Sequence, residues 1–184
     1  MINKHFKNPL WVLLFSLFII NTVMAQENKS ADMVSDFLNV FNFTTGKATQ
    51  LAGVIPQEKY DWRPAEGVRS IKEVVLHIAS ANYFFSSMMG GTIPEGIDPR
   101  SMEQSDVSRE EAVETLKKSV SFVQETVKKL TEDDFNTKID FFGNKATKRQ
   151  VMFTLGDHAG EHLGQLIAYA RMNGVVPPWS QKSN

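Results

Sequence analysis

Apolar residues recur with a helical period in four stretches of the chain, separated by segments rich in proline and glycine. From 31 to about 52, Met33, Val34, Phe37, Leu38, Phe41, Ala48 and Leu51 fall on one face, which predicts a first amphipathic helix. The segment IPQEKYDWRPAEGVRS breaks the pattern at Pro56, Pro64 and Gly67, so it reads as a loop whose rings, Tyr60 and Trp62, plug the end of a bundle. A second face carries Val74, His77, Ile78, Ala81, Phe84, Phe85 and Met88, and Gly90-Gly91 ends it. A third carries Ala112, Val113, Leu116, Val120, Val123, Val127 and Leu130. The fourth, from about 148 to 173, places Val151, Leu155, His158, His162, Leu166 and Tyr169 on one stripe, with Ala159 and Ala170 at its edge.

The starts of the last three helices are written in capping boxes. Ser70 with Glu73, Ser108 with Glu111, and Thr147 with Gln150 each pair a hydroxyl with a side chain three residues on, so that both satisfy amide donors the first turn leaves free. Gly174 and Pro177-Pro178 stop the fourth helix. Residues 90–107, GGTIPEGIDPRSMEQSDV, have no period and form a long connection. A helix of about 20 residues is roughly 30 Å long, a gap this many extended residues span, so helices two and three are free to run parallel. Residues 131–146 return the chain through a short extended excursion around Phe141-Phe142-Gly143-Asn144. Four amphipathic helices without a convincing sheet predict an all-α four-helix bundle. Gly156, Gly160 and Gly164 recur every fourth residue on another side of the last helix; each costs about 1 kcal/mol relative to alanine, and close approach of a neighbouring backbone is the expected reason.

Residues 1–25 read as a secretory leader. Lys4 and Lys7 give a basic head, 10–20 an apolar run, and Val23-Met24-Ala25 a small-residue cleavage site before Gln26. The apolar run is shorter than the roughly 20 residues of a membrane span, which argues against a stable membrane anchor, an uncleaved tether being the alternative. The expectation is an exported, periplasmic or secreted protein whose single domain is residues 26–184. The 184 residues include no cysteine, which excludes disulfides, thiolate nucleophiles, cysteine zinc sites and lipid modification of a cysteine. The formal net charge is −1, from 20 basic and 21 acidic residues; loss of Lys4 and Lys7 leaves 18 against 21, or −3. That balance offers no footprint for nucleic acid or anionic lipid.

Cleavage also removes His5, leaving His77, His158 and His162, all on predicted core faces. A buried imidazole needs partners for both ring nitrogens, and apolar neighbours offer few. A divalent metal takes one nitrogen while the other donates to a carbonyl or carboxylate behind it. His158 and His162 are one turn apart and reach a common ion, and a third imidazole completes a three-nitrogen site with one position open. The alternative is three unrelated core or rim histidines. The H-x-x-E-H spelling of His158, Glu161 and His162 matches an inverted zinc-peptidase motif, but only residues 163–184 follow, too few for the further ligand such peptidases use; Glu161 is read as a solvated or supporting carboxylate. Gln165 and Tyr169 lie on or beside the histidine stripe and fit packing as well as pocket lining. No catalytic residue is identified.

The blocks YDWRPAEGVRSIKEVVLHIASANYFF and HAGEHLGQLIAYARMNGVVPP resemble the DinB-like family, with His77 at the family's helix-two histidine and His158 and His162 at its helix-four pair. Gly164-Gln165, Arg171 and Asn173-Gly174 also match the family's pattern. The resemblance implies an up-down-down-up bundle and a divalent metal on the histidine triad, commonly zinc or nickel. It implies either a metal-dependent hydrolase or transferase acting on a small molecule, or a non-catalytic module binding a metal or small ligand. Similar proteins often form homodimers. The predicted export weighs against a low-molecular-weight thiol cosubstrate, because such thiols are kept mainly in the cytoplasm, and leaves hydrolysis open.

Overall fold

The computed structural model describes residues 9–181, with side chains from 32 to 181. Helices α1 (Pro9–Val54), α2 (Ile71–Met89), α3 (Arg109–Val127) and α5 (Lys148–Met172) build the bundle, with a one-turn helix α4 (Glu132–Asn136) before a hairpin of β1 (Lys138–Phe141) and β2 (Asn144–Thr147). The predicted leader, residues 1–25, lies outside the residues described with side chains. Among the described residues no helix is long and apolar enough to cross a membrane.

Local chemistry sets the helix ends. All three predicted capping boxes form, at Ser70, Ser108 and Thr147, and a fourth, Thr131 with Asp134, starts α4. Gly90 ends α2 with φ 113°, a left-handed conformation that costs a residue without Cβ little. At Gly91 it is space that demands glycine: an added Cβ would lie 2.6 Å from Thr126 Oγ1 and 2.8 Å from a Phe122 ring carbon.

Contacts between the helices fix their directions. Lys72 and Asp106 pair at the start of α2 and just before α3 (3.3 Å), Asn82 donates to Ser119 midway (2.9 Å), and Gly91 meets Thr126 at the far end, so α2 and α3 are parallel. Gln57 accepts from the Arg109 amide at 2.6 Å while Gln124 donates to Asn42 at 2.8 Å, so α1 and α3 are antiparallel. His77 lies beside His158, and Trp62, before α2, packs edge-on against Tyr169 late in α5, with centroids 5.5 Å apart. That makes α2 and α5 antiparallel. The result is the expected up-down-down-up bundle, in which neighbours run α1, α3, α2, α5 around the circle.

The core has two parts. One end gathers Leu51, Ile55, Tyr60, Ile71, Leu76, Ile78, Leu116 and Leu166; the other gathers Phe41, Phe85, Met89, Val123, Phe135, Val151 and Leu155. Tyr60 is fully buried and donates to the Ala52 carbonyl at 2.7 Å, so this loop ring does plug the bundle end. Burial raises its phenol well above the ordinary value.

Three expectations are refined. The helical part of the chain extends beyond the predicted 31–52, since α1 starts at Pro9. The extended excursion is a true two-stranded ladder, Lys138 opposite Thr147 and Phe141 opposite Asn144, closed by Phe142 (φ 53°) and Gly143 (φ 80°) with the paired positive φ of a type I′ turn. Close packing explains only one glycine of the stripe. A Cβ on Gly156 would sit 3.2 Å from the Phe37 ring, whereas Gly160 and Gly164 face open space.

Candidate metal centre

The period of α5 puts His158 and His162 on successive turns facing α2, and the capped start of α2 sets His77 opposite them. The three imidazoles converge: one nitrogen from each lies within 4.8 Å of the other two. Ring centroids are 4.4–4.9 Å apart, and His77 Nε2 stands 3.0 Å from His158 Nε2. Nitrogens bound to one tetrahedral zinc at roughly 2.0–2.1 Å would stand about 3.3 Å apart, so this spacing is close to that of ligands around a common ion. His162 is buried, at 7% exposure, and the His77 side chain is 19% exposed, so the centre sits at the edge of the core rather than sealed within it.

The outward nitrogens identify the inward ones. His77 Nδ1 lies 2.5 Å from Glu103 Oε1, and because an ionised carboxylate only accepts, Nδ1 carries the hydrogen. His162 Nδ1 lies 2.7 Å from Gln165 Oε1, while the Gln165 amide donates to the Tyr169 hydroxyl at 2.9 Å. Tyr169 thereby holds the amide with its oxygen toward His162. In their neutral forms, His77 and His162 both turn a bare Nε2 lone pair inward.

Glu103 is itself anchored by Arg69, Nε to Oε2 at 2.6 Å and Nη2 to Oε1 at 3.4 Å. Burial works to raise its carboxyl, but hydrogen bonds from Arg69 and His77 outweigh it and hold the group below the usual carboxylate range. Burial likewise pushes the His77 imidazole below its ordinary value, against the pull of Glu103. His158 is held down to about 4 by burial and by the two neighbouring imidazoles. His77 and His158 therefore stay neutral near pH 7, the state a metal ligand needs.

These features test the fit of a divalent cation. Two lone pairs already point at the centre; with His77 accepting at Nε2, the 3.0 Å contact requires His158 Nε2 to donate, which strips Nδ1 of its hydrogen. That Nδ1 is buried with no hydrogen-bond partner. A cation would take the place of that His158–His77 hydrogen bond, with Nε2 of all three rings then turning a lone pair to one ion, and an all-nitrogen set suits zinc, nickel, copper or iron. The residues fit the group.

The triad expected from sequence is thus assembled, and Gln165 and Tyr169 have a positional role. Glu103 and Arg69 were not anticipated. Glu103 lies in a single 3-10 turn, Met102–Gln104, of the crossover between α2 and α3, where no periodicity marks a facing residue. The one available sign was an acid in a segment that has to pass along α2. Glu161 is exposed and lines, with Asp157, a groove between α1 and α5 that contains none of the three histidines, so its reading as a solvated carboxylate stands.

The family model of the DinB superfamily matches residues 41–166. A Bacillus subtilis (strain 168) protein, YjoA, described as uncharacterized, is 30% identical over 157 residues, which cover 82% of this chain and 93% of YjoA. Among solved structures, a DinB-like protein of Bacillus cereus superposes with a TM-score of 0.68 at 22% identity, over 77% of this chain and 93% of that one. YfiT from Bacillus subtilis, described as a probable metal-dependent hydrolase with an unusual four-helix bundle topology, superposes at 0.62 with 14% identity, over 79% and 90%.

Proposed function

The chain belongs to the DinB superfamily, and on that footing we propose that it is a metal-dependent enzyme, in the first place a hydrolase, acting on a small molecule at a centre held by His77, His158 and His162. A divalent ion bound there supplies Lewis acidity and an acidified water at neutral pH. The chain's own residues do the rest. Glu103 and Gln165 lock two imidazoles in the ligating tautomer, Arg69 holds Glu103, and Tyr169 holds Gln165. The partial exposure of His77 supports access for a small substrate.

One observation carries this reading: the three imidazole nitrogens lie within 4.8 Å of one another, and two of the rings are oriented from behind by dedicated acceptors. The description of YfiT as a probable metal-dependent hydrolase supports hydrolysis over a purely binding role. The zinc- or nickel-loaded protein, the chelated protein and His162→Ala are assayed against a panel of esters, amides and phosphoesters and in thiol-transfer reactions. Turnover that requires metal and vanishes in His162→Ala is expected. Full metal retention with no turnover across the panel would make the domain a binding module. We also propose export, on the strength of residues 1–25; recovery of a chain starting at Gln26 outside the cytoplasm is the expected result, and an intact cytoplasmic chain would overturn it.

A further inference from the structure

Below His77 on α2, the same face continues through Ala81 to Phe84 and Phe85, and those rings run into the β-hairpin. Phe85 stands edge-on to His158 with centroids 5.8 Å apart, and also meets Phe141 at 5.8 Å and Phe142 at 6.5 Å. Phe84 meets Phe142 at 5.9 Å, and Phe141 meets Phe142 at 4.8 Å. An unbroken run of ring contacts therefore leads from His158, through the buried Phe85, to the hairpin tip.

The tip is unusual in two ways. Phe142 is 67% exposed, although its neighbours in the cluster are at least half-covered. It also occupies the first central position of the turn at φ 53°, where asparagine, aspartate or glycine fits and a bulky ring is strained. The turn itself does not need a phenylalanine there, and the three ring contacts cover only part of it. Phe142 is one ring, Phe85, removed from His158, and a strained, exposed group that near a candidate centre is a reason to ask what it touches.

We infer that Phe84, Phe141 and Phe142, seated on the buried Phe85, form a substrate subsite that receives a planar apolar group, so that the substrates are small molecules with an aryl or similarly flat moiety near the metal-binding head. Rings of this cluster offer both edges and faces to such a group, the arrangement aromatic pairs prefer. Closing over it would also remove the exposed Phe142 ring from water.

This inference rests on the open metal site proposed above, and the test separates the two. Zinc-loaded protein is titrated calorimetrically with acetohydroxamate and with benzohydroxamate, which share the metal-binding head and differ in the flat group. Benzohydroxamate is expected to bind at least tenfold more tightly. Phe142→Asn, which suits the turn and so spares folding, and Phe84→Ala should each cut that preference at least threefold while leaving acetohydroxamate affinity unchanged. Equal affinities in the wild type, or a preference that both variants retain, would overturn the subsite and leave the metal site standing. Failure of acetohydroxamate itself to bind would overturn the open metal site, and the subsite with it.

Discussion

Glu103→Gln tests how much of the metal affinity is built into the crossover. The carboxylate accepts the His77 Nδ1 hydrogen at 2.5 Å, is 22% exposed, and is held from its other side by Arg69. Hydrogen bonds to a charged group are worth about 1.5–3 kcal/mol, and this one strengthens as the imidazole gives electron density to a cation. Loss of such supporting acceptors typically costs 10–100-fold in metal affinity, or about 1.4–2.7 kcal/mol. The amide of glutamine keeps an acceptor oxygen but loses the charge, so about tenfold is expected; Glu103→Ala loses both, and about 100-fold is expected. Arg69 is 40% exposed, so water solvates it in either variant and little overall stability is lost. Zinc dissociation constants from competition with a chromophoric chelator give the measurement, with thermal melts of the metal-free proteins as the control. If both variants bind zinc within twofold of wild type, Glu103 does not orient His77 for a metal and the reasoning fails.

Two further predictions follow from the same geometry. The His158 value of about 4 lies below the unfolded value of about 6.5. The unfolded chain therefore binds more protons between these limits. This contribution to metal-free stability is complete above about pH 6.5 and is lost as pH falls toward 4, by on the order of 2 kcal/mol; urea denaturation at pH 7.5, 6, 5 and 4.5 checks it, and His158→Gln should flatten the dependence. At the glycine stripe the two positions should part company. Gly160→Ala faces open space in a helix interior and should gain about 0.5–1 kcal/mol, whereas Gly156→Ala forces the Phe37 ring to shift from 3.2 Å and should gain nothing or lose stability. Equal shifts in melting temperature would contradict that reading.

The helices and the triad were legible because both depend on periodicity. His158 and His162 sit one turn apart on a stripe that also carries Leu155 and Leu166, and His77 shares a face with Val74 and Ile78, so burying the apolar residues brings the imidazoles together. Ser70, Ser108 and Thr147 announced their helix starts through chemistry confined to four residues each. Glu103 was not legible, because its role depends on the path the crossover takes along α2, a tertiary property that no local pattern encodes. Gly160 and Gly164 show the opposite failure, in which a regular spacing suggested close contact that only Gly156 makes. The hairpin was half legible: Phe142-Gly143 is a weak turn signal, since phenylalanine rarely accepts the positive φ found there.

The central claim is that His77, His158 and His162 form one metal centre. Its most direct test is elemental mass spectrometry on protein purified without a histidine tag or chelator, alongside His77→Ala, His158→Ala and His162→Ala. About one transition metal ion per chain, reduced in every variant, is the predicted result. Absence of metal even after incubation with zinc, nickel, manganese and iron, or retention of a full equivalent in any of the three variants, would contradict the claim.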